Sequence, residues 1–234
     1  MTNIDTLKSS IKLCMFDQYG TVVDMQGGLR EVAAGFLKAK GSAVDPNAFV
    51  TWWRRTHFEN SMIDALLQRE HMPYREIGHL SVRQVMDRAN IAHTDDDVHA
   101  LVAAIERLEC FPEVPEALAR LHAQYKLVVL SNGDPDMLEA AKPYHRIPFD
   151  AVISVAEANA FKPHRATYEM AAGKMGVAVD QVLFVANHEF DCVGAKAAGM
   201  RTVFIDRRRR PFAQWPHQPD LIVASMTELA ELLT

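Results

Sequence analysis

The chain has little cysteine: three residues, Cys14, Cys110 and Cys192, in a total of 234. An odd number with no Cys-x-x-Cys pair excludes a disulfide framework and gives no support to structural zinc. Long apolar runs are missing too. No stretch of about 18 apolar residues occurs, so no membrane helix is expected. The first residues, MTNIDTLKSSIKLCMF, carry no long apolar block behind a basic one. No secretory leader is therefore expected, and the cytoplasm is the expected location. Positive charge is in deficit: 25 Lys and Arg against 30 Asp and Glu leave a net charge of −5. A broad nucleic-acid-binding face is not expected on such a chain. Internal repeats and low-complexity linkers are absent as well. What remains is an ordinary globular composition, 49% hydrophobic and 24% charged, long enough for one or two domains and a sizeable core.

The apolar residues that are present come in short runs. Ile11–Phe16 stops at Asp17 and reads as a buried strand. Similar runs follow at 126–130, 151–155, 181–185, 201–206 and 220–224. Helical patterns lie between them, over Pro115–Tyr125, a short Pro135–Ala141, Thr167–Met175 and Asp191–Gly199, the last ending on a glycine suited to a helix stop. Strand–helix alternation predicts a doubly wound α/β domain with a parallel sheet. The stretch from Met25 to about Cys110 is different. It holds no convincing strand, and helix starts are legible at Asp45-Pro46, Pro73 and Thr94-Asp95. Trp52, Trp53, Phe58, Met62, Leu66 and Leu67 read as one apolar helical stripe, with the tryptophans in the core. The expected organisation is an α/β core of residues 1–24 and 110–234, with an all-helical cap of residues 25–109 inserted after the first strand.

Ligands of open α/β sheets bind outside the carboxyl ends of the strands. Those ends read Asp17-Gln18-Tyr19-Gly20-Thr21, Ser131-Asn132-Gly133-Asp134, Lys162-Pro163, and Ala186-Asn187-His188-Glu189-Phe190-Asp191. Two carboxylates, a hydroxyl with an amide, and a lysine thus converge on one face. In their order and in the helical insertion, these four segments resemble the motifs of the haloacid dehalogenase superfamily. The resemblance spans nearly the whole chain and is nearest to the type II 2-haloacid dehalogenases, whose first motif is Asp-x-Tyr-Gly-Thr with a further Asp, here Asp24.

The phosphatases of that superfamily have Asp-x-Asp instead, because an alkoxide leaving group must be protonated. Here Tyr19 occupies the acid position. Their Mg²⁺, a hard cation, takes carboxylate ligands, but the usual acidic ligand four residues before Asp191 is Asn187. A halide leaves as a stable anion and needs neither acid nor metal. The substitutions fit carbon–halogen cleavage, against the alternatives of a Mg²⁺-dependent phosphatase or a non-catalytic carboxylate binder on the same core.

The resemblance implies roles by position. Asp17 would be the nucleophile that forms an ester with a 2-haloacid, Lys162 would keep it ionised, and Thr21 would hydrogen-bond it. Asp191 would fix Lys162 and help activate the hydrolytic water. Ser131 and Asn132 would hold the substrate carboxylate, and Tyr19 and Tyr168 match family tyrosines in the substrate site. Arg54, rather than its neighbour Arg55, would accept the halide, with Phe58 on the same helical face beside it. Ala186 and His188 depart from the usual Ser and Asn, which leaves the water's placement open. Arg207–Arg210 reads as a solvated basic loop. The implied activity is hydrolysis of short 2-haloalkanoic acids to 2-hydroxyacids with inversion. Its substrate is a small molecule, no cofactor or metal is needed, and a homodimer is admitted.

Overall fold

The computed structural model describes residues 4–67 and 70–234. The chain starts with helix α1 (Ile4–Ser10) and strand β1 (Leu13–Phe16), then runs through α2 (Met25–Ala39), α3 (Pro46–Leu67), α4 (Tyr74–Arg88) and α5 (Asp95–Ala103). From α6 (Val114–His122) onward strands and helices alternate: β2 (Lys126–Ser131), α7 (Pro135–His145), β3 (Ala151–Ser154), α8 (Arg165–Lys174), β4 (Val182–Ala186), α9 (Glu189–Ala197), β5 (Arg201–Ile205), β6 (Leu221–Val223) and α10 (Met226–Leu233).

The six strands form one sheet in the order β3-β2-β1-β4-β5-β6, and every pairing is parallel. Every side chain of β1 and β4 is buried, as expected where helices cover both faces of a parallel sheet. The order reverses at β1, which pairs with β2 on one side and β4 on the other. Such a switch point opens a crevice at the carboxyl ends of the central strands. Asp17 follows β1 directly, and its N–H donates to the Val185 carbonyl at 3.0 Å. The reversal therefore puts Asp17 beside the loop after β4.

The helical insertion is tied off at its base. Asp24 N–H donates to the Glu109 carbonyl at 3.0 Å, and Phe111 N–H to the Val22 carbonyl at 3.1 Å. There we propose to divide the chain, 1–24 and 110–234 against 25–109. The side chain of Asp24 caps α2 through Gly27 N–H, and Thr94 with Asp97 makes a reciprocal capping box on α5. Among the described residues no helix is long and apolar enough to cross a membrane.

Three local expectations need correction. The stripe on α3 is not Trp52 through Leu67: Trp52 is 49% and Leu66 80% exposed, and Leu67 is exposed too. The buried face is Phe49, Val50, Trp53, Thr56, His57, Ser61 and Asp64, which keeps 3.6-residue spacing but turns polar in its second half. Only Trp53 of the two tryptophans is core. Helix α7 continues four residues past Ala141, through Pro143; a proline near a helix end forfeits only one backbone bond there. Helix α1 was not legible, since it buries little besides Leu7.

Candidate active site

The crevice at the end of β1 holds a compact charged cluster. Lys162, only 1% exposed, directs its ammonium to Asp17 Oδ1 at 2.8 Å, Asp191 Oδ2 at 2.6 Å and the Leu130 carbonyl at 3.0 Å. All three of its protons are thus used. The other oxygen of Asp17 accepts from the Thr21 hydroxyl at 2.7 Å, and that hydroxyl in turn accepts from Asn187 N–H at 2.9 Å. Burial pushes both carboxyls up, but with opposite outcomes. For Asp17 the Lys162 charge and the hydrogen bond from His188 outweigh burial, and its pKa falls well below the usual carboxylate range. Asp191, fully buried and sharing Lys162 with a second anion, is raised. Asp17 is the carboxylate held ready as an anion.

His188 joins this cluster to the helical insertion. Its Nδ1 lies 3.2 Å from Asp17 Oδ2, and its Nε2 lies 3.3 Å from an Arg54 nitrogen. A carboxylate only accepts and a guanidinium only donates, so Nδ1 carries the proton and Nε2 accepts. Arg54 also donates to Gln26 Oε1 at 2.9 Å. The close fit needs Gly20: at φ +94° any Cβ there would sit 2.8 Å from the His188 ring and 3.1 Å from Arg54.

These groups face a cavity of about 690 Å³ between the strand ends and the helices. Asp17, Tyr19, Arg54, Phe58, Asn132 and His188 all line it. The side chains of Phe58 and Phe190 pack with ring centroids 4.4 Å apart, while Tyr19 stacks on Tyr74 at 5.8 Å. Arg55 reaches the cavity rim, but its side chain is 79% exposed and paired with Glu59. Geometry favours Arg54 for contact with a reacting group.

The likeness to known proteins agrees with this construction. A model of the haloacid dehalogenase-like hydrolase family matches residues 11–199. The chain belongs to that family. It is 31% identical to an (S)-2-haloacid dehalogenase of Xanthobacter autotrophicus over 199 residues, 84% of this chain and 76% of that one. It is 29% identical to (S)-2-haloacid dehalogenase 4A of Burkholderia cepacia over 234 residues, covering 96% and 95% of the two chains. Among solved structures it resembles the L-2-haloacid dehalogenase RSc1362, with a TM-score of 0.88 at 27% identity over 96% and 99% of the chains. The L-2-haloacid dehalogenase from Xanthobacter autotrophicus with chloropropionic acid covalently bound gives 0.84 at 27% identity, over 95% and 98%.

Within this haloacid dehalogenase-like fold, four expected site residues sit behind the cavity rather than on it, Thr21 among them at the back of Asp17. Tyr168 is fully buried and donates to Asp191 Oδ1 at 2.6 Å, so it positions Asp191 instead of meeting substrate. Ser131 is buried, its hydroxyl accepts Gly133 N–H at 3.2 Å in its own turn, and it does not line the cavity. Asp191 has both oxygens taken, by Lys162 and Tyr168. Asn132 does line the cavity; its Oδ1 accepts Lys162 N–H at 3.0 Å, which leaves its amide N–H groups to donate.

The basic loop is solvated as expected at Arg208, Arg209 and Arg210, but Arg207, Arg208 and Arg210 also line the cavity. Arg207 is anchored by Glu113, by the Thr21 carbonyl at 3.0 Å and by the Phe111 ring 3.8 Å from its guanidinium. Gln26 and Phe190 were also missed. Their proximity to Asp24 and Asp191 in sequence was the available signal.

The Mg²⁺ used by phosphatases of this superfamily does not fit these residues. Asn187, at the ligand position, donates its amide to the Ile205 carbonyl at 2.5 Å. Both oxygens of Asp17 are engaged by Lys162, Thr21 and His188. Among the described residues no group of three or more His, Cys, Asp or Glu is placed to hold a metal.

Proposed function

We propose that the enzyme hydrolyses short 2-haloalkanoic acids to 2-hydroxyacids with inversion at the α-carbon, through an ester on Asp17. The observation that carries this reading is the Asp17 carboxylate: ionised, aimed by Lys162 and Thr21, and facing a cavity that also holds Arg54. Asn132 amide donors would orient the substrate carboxylate. Asp17 attacks the α-carbon opposite the halogen, and the C–X electron pair leaves with the halide. Arg54 receives that anion; a charged donor in a desolvated pocket gains most as the charge appears, so it lowers the barrier.

Hydrolysis follows at the Asp17 carboxyl carbon. Asp191 is fully buried behind Lys162 and does not line the cavity, and Ala186 offers no hydroxyl. His188 is the available base. Once Arg54 turns to the halide, Nε2 loses its donor and is free to take a proton from water. The hydroxide adds to the ester carbonyl, the bond from that carbon to the substrate oxygen breaks, and the alkoxide recovers a proton from His188. Asp17 re-ionises and the second water proton is released. The α-carbon is inverted once and not touched again.

A single turnover in H₂¹⁸O, with enzyme in excess over (S)-2-chloropropionate, tests the ester. Lactate should be unlabelled and the peptide containing Asp17 labelled. Label in first-turnover lactate would mean that water attacks carbon directly. Replacing His188 by Ala should slow ester hydrolysis by roughly 10²-fold or more, visible as a burst of halide followed by a slow phase. The exposed Trp52, Ile63 and Leu66 on α3 support the further reading that two copies pair. A monomer in sedimentation velocity at micromolar concentration would refute that pairing.

A further inference from the structure

The cavity is larger and more cationic than a short monoacid requires. Six non-hydrogen atoms, as in 2-chloropropionate, at about the 30 Å³ a water takes in the liquid occupy roughly 180 Å³. The cavity is about 690 Å³. Its charges fall into two groups. Lys162 is neutralised by Asp17 and Asp191, Arg207 by Glu113, and Arg55 by Glu59. Arg54 hydrogen-bonds only the neutral Gln26 and His188, feels the charges of Asp17 and Asp24 without pairing with either, and is reserved for the halide. Arg208 and Arg210 remain, and among the described residues neither guanidinium has a hydrogen-bond or ion-pair partner. Arg208 is close enough to Arg54 for the two charges to repel. In a protein with a net charge of −5, unpaired cations gathered at one opening form a positive mouth above a site whose proposed substrate is itself an anion.

We propose that Arg208 and Arg210 form a second anion subsite, so that the enzyme accepts 2-haloacids carrying a further anionic group at the far end, of which a 2-halodicarboxylate is the simplest. The proposal rests on the dehalogenase reading for the reacting end and adds the substrate class. A guanidinium fork fits a carboxylate with two parallel hydrogen bonds. A mouth that merely steers anions would act differently, raising the encounter rate of any carboxylate.

The test compares (S)-2-chloropropionate with (S)-2-chloroglutarate on the wild type and on the double variant Arg208→Ala/Arg210→Ala, both positions being exposed and remote from the core. The kcat/KM ratio of diacid to monoacid should fall at least 10-fold in the variant, chiefly through KM. An equal loss on both acids would reduce the loop to steering and overturn the subsite. Calorimetric binding of glutarate against butyrate separates the two readings. Glutarate should bind the wild type more tightly, and the advantage should vanish in the variant. If that holds while neither chloroacid is turned over, the subsite stands and the dehalogenase reading falls. If glutarate binds no better than butyrate, the subsite is wrong whatever the turnover.

Discussion

The two walls of the cavity differ in how their polar atoms are satisfied. In the charged cluster on the strand side, the hydroxyl of Thr21, the ammonium of Lys162 and both oxygens of Asp17 and of Asp191 all have partners at 2.6–3.2 Å, although Gln18 Oε1, just outside the cluster, is buried without one among the described residues. On the helix side, both ring nitrogens of His57, which lines the cavity, are buried with no hydrogen-bond partner among the described residues, and Nε1 of Trp53 is unpaired in the core behind that wall. The phenol of Tyr19, facing that wall, is likewise unpaired. A fully satisfied network in a low-dielectric crevice is rigid and costly to break. An under-satisfied wall costs stability as it stands and lies where a ligand or a moving helix can use the groups. The contrast suggests that the strand ends fix the nucleophile, whereas the helices adapt to what is bound.

The largest effect should come from breaking the satisfied side. Replacing Lys162 by Met leaves two buried carboxylates without their cation, a change worth about 3–5 kcal/mol. Denaturant unfolding at pH 7 should show that loss together with loss of turnover. A smaller loss at low pH, where Asp191 takes a proton first, would confirm its cause; a pH-independent loss would point to packing instead. Next comes Arg54. Arg54→Ala should cut kcat by roughly 10²-fold or more, the scale of one transition-state donor, while Arg55→Ala, exposed and paired with Glu59, should change it little. If Arg55→Ala is the more damaging variant, the face of α3 turned to the cavity has been misread.

How much of this was legible in the sequence follows the same division. Short apolar runs ending in Asp17, Ser131 and Ala186 announce strands and, by the rule for open sheets, the site. Asp17 follows β1 directly, whereas Asp191 and Lys162 lie five and eight residues past β4 and β3, so the rule for open sheets marks the loops that carry them and the resemblance picks out the residues. The helix side was harder. The buried face of α3 carries Thr56, His57, Ser61 and Asp64, so hydrophobic spacing drew the stripe toward Trp52 and Leu66, which are exposed. Arg208 and Arg210 read as solvated because exposure and cavity lining are compatible at a rim. The resemblance implies substrate contacts for Tyr168 and Ser131, whereas the partners they meet, Asp191 and Gly133, lie in the protein. Spacing shows that a residue is near a site, not which side of it the residue faces.

The smallest predicted effect tests the under-satisfied wall. Burial holds His57 down to about 3 from an ordinary 6.5, and its ring lies 4.1 Å from that of Tyr74, so the folded protein keeps it neutral. The unfolded chain binds a proton there once the pH drops below 6.5. Because the unfolded state then binds more protons, stability falls with pH. The contribution is intact above pH 6.5 and shrinks as pH falls through the window down to about 3, the loss reaching about 2 kcal/mol at pH 5. His145, lowered to about 4 by burial, acts in the same direction, so the wild-type slope contains both. His57→Phe isolates one. Whatever the larger ring does to packing at pH 7, the drop in unfolding free energy between pH 7 and pH 5 should be about 2 kcal/mol smaller in the variant. An unchanged slope would mean that His57 finds a partner for its proton in the folded protein, and the helix side would then be as well satisfied as the strand side.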